Sequence, residues 1–303
     1  MDNPQETEKL NIQWLAGFFD AEGSVSFNYK PNLDMVNTCP RTSFHIKDIL
    51  MRIGIKAGIH YREKPSKSSK KPRWDIFLRH DHQVKPFLKY VMPFVYGKQK
   101  QLQIIKEWYS DKKDIQEKIK FANQINNIII SKPNNVKAKL KTDNLEKYSD
   151  IPVLNDDDGL IREYPDFDLW AYTAGLIDGD GCFNMHFRAS KKSQYGRYSP
   201  QVILINTNKE IIRRFCSVLN NSNIGFHISF RTAGKTTNRR RWDIVVSGVK
   251  RCEKVCLQLY PYLETKKEQC NLLLQYCKHR LLSPKSINEI GFECKNALEG
   301  MRS

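Results

Sequence analysis

The sequence predicts an α+β protein made of two pseudo-symmetric repeats, each an antiparallel sheet with its helices on one face. The first observation behind this is an internal repeat. WLAGFFDAEGSVSF at 14–27 matches YTAGLIDGDGCFNM at 172–185, RWDI at 73–76 recurs at 241–244, and MPFVYGKQKQ at 92–101 is echoed by YPYLETKKEQ at 260–269. Matches in the same order mark a duplicated structural unit. The second is spacing: Trp74 to Lys98 and Trp242 to Lys266 are both 24 residues, so the back half of each unit is in register without a gap. The third is that strand-like stretches within a unit are joined by short turns, which implies antiparallel pairs and not the crossovers of a parallel sheet.

Each element follows from local pattern. An apolar helix ends at DAEG in the first unit and at DGDG in the second, and the alternating stretches SVSFNY and CFNMHF read as the strands that follow. A helix comes next, at about 43–53 and 208–220, where Asn206 and Asn208 are candidate caps. Two strands around a basic turn succeed it, 57–63 with 73–79 and 225–232 with 240–247. Two helices close each unit, about 81–95 and 98–110, then 248–262 and 264–281. Glu22 to Trp74 spans 52 residues but Asp180 to Trp242 spans 62, so the first unit is about ten residues shorter, a deficit assigned to its first hairpin.

Between the units, SKPNN, KTDN and NDDDG surround the apolar run IIIS at 128–131. At 55 residues this linker exceeds ordinary connections, and it is expected to pack along the surface or cross between the halves. The boundaries are therefore 1–110 for the first repeat, 111–165 for the linker and 166–303 for the second repeat with its tail. The tail, SINEIGFECKNALEGMRS, reads as a short amphipathic helix with a frayed end and receives no function.

Fifty Lys and Arg against 33 Asp and Glu give a formal net charge of +17. Such a charge repels itself unless a polyanion compensates it, which points to nucleic acid first and an anionic membrane second. No apolar run approaches the roughly 20 residues of a spanning helix, and MDNPQETEKL lacks the basic and apolar regions of a signal peptide. The expectation is an intracellular protein with no membrane partner, in an organelle or a bacterial cytoplasm. The eight cysteines show no CxxC pair and no zinc-site spacing, so they read as reduced thiols. Cys252 with Cys256, and Cys270 with Cys277, have the spacing of small core residues on helices.

In helical register Gly17 and Ala21 share a face, as do Gly175 and Gly179, with Ala16 and Ala174 alongside. A glycine inside a helix costs on the order of 1 kcal/mol relative to alanine, and close packing of two helices is the physical compensation. If the two motif helices pack together, Glu22 and Asp180 meet where both helices end. Helix C-termini carry partial negative charge, so two of them bearing two carboxylates call for a cation. So few oxygen ligands suit Mg²⁺, with waters and substrate phosphate completing its shell; Mn²⁺ fits the same site, and Ca²⁺ is expected to bind there without cleavage. An ion so placed lowers the pKa of bound water and stabilises a leaving 3′ oxygen, which is the chemistry of phosphodiester hydrolysis.

Lys98 and Lys266, in matching places at the start of a late helix, are candidates for stabilising the pentavalent phosphate or positioning the water. Asp20 and Asp178 read instead as helix-end hydrogen-bonding groups. His80 and His82 have Ser247 and Gly248 in the corresponding region of the second unit, and read as surface residues.

Basic residues concentrate in three runs, REKPSKSSKKPR at 62–73, RASKKSQYGR at 188–197 and RTAGKTTNRRR at 231–241, all in hairpin turns. Two-stranded ribbons fit the major groove, where arginine reads guanine edges and the remaining charge meets phosphate. Arg62, Arg73, Arg188, Arg197, Arg231, Arg239 and Arg241 are therefore the candidate contacts to double-stranded DNA.

LAGFFDAEG at 15–23 and TAGLIDGDG at 173–181 resemble the paired motifs of the two-repeat, monomeric LAGLIDADG homing endonucleases. The resemblance covers about 10–110 and 166–282. It implies a saddle-shaped pair of αββαββα units, with strands over DNA and the motif helices at their interface. It further implies Mg²⁺-dependent cleavage of both strands across the minor groove, leaving short 3′ overhangs. By motif position it implies Glu22 and Asp180 as catalytic acids and metal ligands, and the backbone carbonyls of Ala21 and Gly179 as further metal ligands; Lys98 and Lys266 match the family's basic residues. This chain departs from the family in carrying Glu22 for the usual Asp, which adds a methylene, in its shorter first hairpin and in its long linker. The splicing residues of an intein are missing, so a free-standing intron-encoded enzyme is the expectation.

The alternative class is a binding protein: an intron maturase using the same sheets on RNA, or a catalytically silent DNA-binding regulator. The acids in both motifs argue against the silent regulator. A basic structural protein such as a ribosomal factor would leave the paired acids without a role.

Overall fold

The computed structural model describes residues 4–28, 30–63, 71–109, 168–190, 193–231, 241–282 and 288–301. The expected linker at 111–165 and Arg239 lie outside the described residues. In chain order the first repeat is α1 (Pro4–Glu22), β1 (Gly23–Asn28), β2 (Lys30–Asn37), α2 (Pro40–Arg52), β3 (Gly58–Arg62), β4 (Arg73–Leu78), α3 (Asp81–Tyr90) and α4 (Gln99–Trp108). The second is α5 (Leu169–Asp180), β5 (Gly181–Ser190), β6 (Ser193–Asn206), α6 (Lys209–Asn221), β7 (His227–Arg231), β8 (Arg241–Ser247), α7 (Val249–Leu259) and α8 (Lys267–Leu282), followed by the tail helix α9 (Asn288–Gly300). The predicted order of elements therefore appears twice.

Local chemistry sets the ends of these elements. The Asp168 side chain caps α5 by accepting from the N–H groups of Trp170 (2.7 Å) and Ala171 (3.1 Å), and Asn208 caps α6 by accepting from Glu210 (2.9 Å). The helices expected to run to 95 and 262 stop earlier, at Tyr90 and Leu259. Pro93 and Pro261 stand at matching positions beyond them, and a proline lacks the N–H that the next helical turn needs. In the first repeat the chain continues as a short 3-10 turn, Met92–Phe94.

Both sheets are antiparallel, ordered β1-β2-β4-β3 and β5-β6-β8-β7. Register aligns Met35 with Ile76 and Ile59, and Leu204 with Ile244 and Ile228, so each sheet has one apolar face. Val25, Leu33, Met35, Ile76 and Leu78 are buried there in the first repeat; Phe183, Met185, Val202, Leu204, Ile244 and Val246 are buried in the second. Side chains alternate along a strand, so the same register sends Asn32, Asp34, His60, Arg62, Arg73 and Asp75, and in the second repeat Asn184, His186, Arg188, Arg197, Gln201, Arg231, Asp243 and Arg241, to the opposite face. These two open sheets, with helices on their apolar faces, make the saddle-shaped α+β arrangement.

Helices α1 and α5 pack against each other at the centre. Every residue from Gln13 to Asp20 and from Ala171 to Asp178 is buried, because each helix has a partner helix on one side and a sheet on the other. A helix covered all round needs no amphipathic stripe, and neither has one.

The shortfall in the first repeat lies in its first hairpin: β1 and β2 have 6 and 8 residues, β5 and β6 have 10 and 14. Trp108 of α4 meets Phe27 edge-on at 4.7 Å near the end of the short hairpin. On the long one, α9 lies across the extension, with Gly291 against the ring of Tyr198, itself 5.0 Å from Phe187. All eight cysteines are free, and Cys252, Cys256, Cys270 and Cys277 are fully buried core residues. His80 and His82 are exposed, their rings stacked at 5.4 Å. Among the described residues no helix is long and apolar enough to cross a membrane.

Candidate active site

Gly17 and Gly175 decide how closely the motif helices approach. A Cβ on Gly17 would overlap the carbonyl oxygen of Tyr172, and one on Gly175 that of Trp14, so backbone lies against backbone. Further along, Gly179 adjoins Ala21, and a Cβ there would stand 3.2 Å from Glu22 Cγ. The crossing thus brings the C-terminal ends of α1 and α5, with Glu22 and Asp180, into one neighbourhood.

The two acids feel each other. Burial, then the like charge of Glu22, pushes the Asp180 carboxyl up to about 6, against the pull of Lys98, a hydrogen bond from Asn206, and Lys266. Glu22 is the more open of the two. Loss of surrounding water still raises its pKa, opposed by Lys266 and then Lys98. Both lysines therefore act on both acids.

The lysine-bearing loops are held by the acids two residues back, Asp20 and Asp178. Asp20 accepts from the N–H groups of Tyr96 (2.7 Å) and Lys98 (3.0 Å), and Asp178 from those of Glu264 (2.8 Å) and Lys266 (2.8 Å). Burial raises the pKa of both carboxyls, and these hydrogen bonds oppose the rise. Asp20 and Asp178 are thus hydrogen-bonding groups whose partners are the loops leading into α4 and α8. Lys98 Nζ donates to the carbonyl of Asp20, while Lys266 Nζ donates to the carbonyls of Ile177 (2.8 Å) and Gly179 (2.9 Å). The Gly179 carbonyl, expected from the sequence as a metal ligand, is therefore shared with an ammonium group. Burial lowers the Lys266 pKa, with Asp178 and Glu22 pulling it back up.

Sequence reasoning gave Asn206 only a capping role. Its Oδ1 does accept from the Asn208 N–H at 2.7 Å, but its Nδ2 donates to Asp180 Oδ2 at 2.6 Å. The signal lay in register: Gly181 pairs with Leu204, so a residue two beyond Leu204 runs past the start of β5 and faces the acid that ends α5.

Among the described residues no group of three or more His, Cys, Asp or Glu side chains could hold a metal ion. The centre instead offers two carboxylates of like charge and helix-end carbonyl oxygens. That donor set fits Mg²⁺, a hard cation that keeps several waters, and a cation there would relieve the repulsion that raises Asp180.

Six of the seven candidate DNA-contact arginines lie on the polar sheet faces, and they form three cross-strand pairs: Arg62 with Arg73, Arg188 with Arg197, and Arg231 with Arg241. Like charges directly opposite repel. In two of the pairs a buried aspartate two residues along offsets this. Asp75 pairs with both Arg62 and Arg73 (3.1 Å to the latter), and Asp243 with Arg231 (2.5 Å) and Arg241 (3.2 Å). These acids are the Asp of the repeated RWDI, two residues from the arginine and so on its face.

A LAGLIDADG-like domain model matches residues 9–92. The LAGLIDADG meganuclease I-AabMI bound to uncleaved DNA aligns with 96% of this chain and 99% of its own, at 16% identity and a TM-score of 0.62. The I-SmaMI LAGLIDADG homing endonuclease bound to cleaved DNA aligns with 96% and 95%, at 13% identity and a TM-score of 0.58. The LAGLIDADG homing endonuclease I-GzeII in complex with its DNA target aligns with 95% and 97%, at 16% identity and a TM-score of 0.54. No curated protein sequence matches. At these identities the likeness is one of fold.

Proposed function

From a chain that has the two-repeat fold of the LAGLIDADG endonucleases, with a LAGLIDADG-like domain at 9–92, we propose a homing endonuclease. It hydrolyses both strands of a long double-stranded DNA site and leaves short 3′ overhangs. One observation carries this reading: Glu22 and Asp180 converge at the ends of two helices packed through glycine, with Lys98 and Lys266 acting on both.

Glu22, Asp180 and the carbonyls of Ala21 and Gly179 would hold Mg²⁺, which would supply Lewis acidity for phosphodiester hydrolysis, with Mn²⁺ as a substitute and Ca²⁺ as a non-productive ligand. Asn206 orients the Asp180 carboxylate through the hydrogen bond to Oδ2. The ammonium groups of Lys98 and Lys266, fixed by helix-end carbonyls, stabilise negative charge developing on the phosphate. The arginine pairs, together with Arg239, supply the guanidinium forks for phosphate oxygens and guanine edges.

The test is cleavage of a plasmid library of randomised sites in Mg²⁺ by the wild type and by Glu22→Gln and Asp180→Asn. The expected outcome is site-specific double-strand cutting by the wild type and a loss of about a hundredfold or more in each variant, with DNA binding retained. No cleavage in Mg²⁺ or Mn²⁺, beside tight binding to folded intron RNA, would move the assignment to a binding protein.

A further inference from the structure

Each loop that carries a lysine is pinned by an aspartate of its own repeat and touched by residues of the opposite one. The loop of residues 96–98 is pinned to Asp20, and the Asp20 carboxylate also accepts from the hydroxyl of Tyr172 on α5 at 2.8 Å. Asn208, at the start of α6, donates to the Gly97 carbonyl at 2.6 Å, a Cβ on Gly97 would press on Ile211, and the Arg214 guanidinium lies 4.4 Å above the Tyr96 ring. The loop of residues 264–266 is pinned to Asp178, which also accepts from the indole N–H of Trp14 on α1 at 2.9 Å. Thr42 and Thr265 share a hydrogen bond at 2.7 Å, and His45 Nε2 lies 3.9 Å from the Glu264 carboxylate.

The two arrangements use the same positions. Counting from the caps Cys39 and Asn208, Thr42 matches Ile211 and His45 matches Arg214; in the motif helices Trp14 matches Tyr172. Position is shared while chemistry differs, so what the fold repeats is the crossing over itself.

We propose that each repeat's lysine loop is registered by the other repeat, with Tyr172 positioning Lys98 through Asp20 and Trp14 positioning Lys266 through Asp178. A repeat on its own holds the aspartate and the loop but not the third partner that fixes the carboxylate. Neither lysine is set until α1 and α5 have packed, and loosening one helix residue disturbs the lysine of the other half.

The first test needs no substrate: amide hydrogen exchange in the full chain carrying Tyr172→Phe, Trp14→Phe or Thr42→Val, the last removing only a hydroxyl. The expected result is exchange roughly tenfold faster at Tyr96 and Lys98 in Tyr172→Phe alone, and at Glu264 and Lys266 in the other two. Loosening of the variant's own loop, or of both loops alike, would overturn the proposal. The second test rests on the nuclease reading. On a duplex site selected by the wild type and labelled on each strand in turn, Tyr172→Phe and Trp14→Phe should each slow nicking about tenfold, on opposite strands. Equal slowing of both strands counts against it. A wild type that cuts nothing would remove the nuclease reading and leave the exchange result to decide the registration.

Discussion

The Asp180 carboxyl is pushed up to about 6 because it is buried and because Glu22 faces it, and this ties stability and the proposed metal binding to pH in opposite directions. The folded-state value lies above the ordinary 3.8, so the native protein holds a proton that the unfolded chain releases first. The protonated form favours folding at low pH, and that contribution is lost as pH rises through about 6. A cation needs the ionised form. In calorimetric titrations Ca²⁺ affinity should fall about tenfold per pH unit once the pH drops below the Asp180 value, and Glu22→Gln should move that limb to lower pH while raising the melting temperature at pH 8. An unchanged limb in Glu22→Gln would separate the two carboxylates. Glu22 and Asp180 were legible in the sequence because they end two copies of one motif. Asn206 as a partner of Asp180 was not, because its place depends on how β6 registers against β5.

The packing of α1 on α5 is a property of the helices as bodies, and glycine is the condition for it. Gly17→Ala places a methyl against the backbone of Tyr172, where no side chain can rotate away. It should cost about 3 kcal/mol in urea unfolding, while Gly300→Ala, whose added carbon meets nothing, should stay within about 0.5 kcal/mol of wild type. Equal effects would mean that the helices part easily. Small residues at helical spacing make this contact legible in the sequence, and apolar periodicity does the same for the order of elements, because both are short-range patterns. Helix ends at Tyr90 and Leu259 were overrun because the periodicity continues past the prolines that stop them. Pairs such as Thr42 with Thr265, 223 residues apart, leave no local trace at all.

At the scale of the molecule, the +17 charge and the three arginine pairs would, on the proposed reading, set how strongly the protein holds DNA. Neutralising six or more phosphates releases their counterions, so affinity for a selected duplex should drop roughly a thousandfold between about 50 and 200 mM salt. A slope near zero in a filter-binding titration would remove the sheet faces from the interface. The two halves would not be equal partners in such a contact. The second hairpin is longer and α9 lies across its far end, whereas Trp108 meets the first near its tip. A palindrome has no head or tail, but this protein has both. Turned end for end on a palindromic duplex, it would set its long arm where the short one had been, so each strand meets a different half. The fold carries a compass: on the proposed nuclease reading, a site without twofold symmetry would be held one way round, each strand facing a different half.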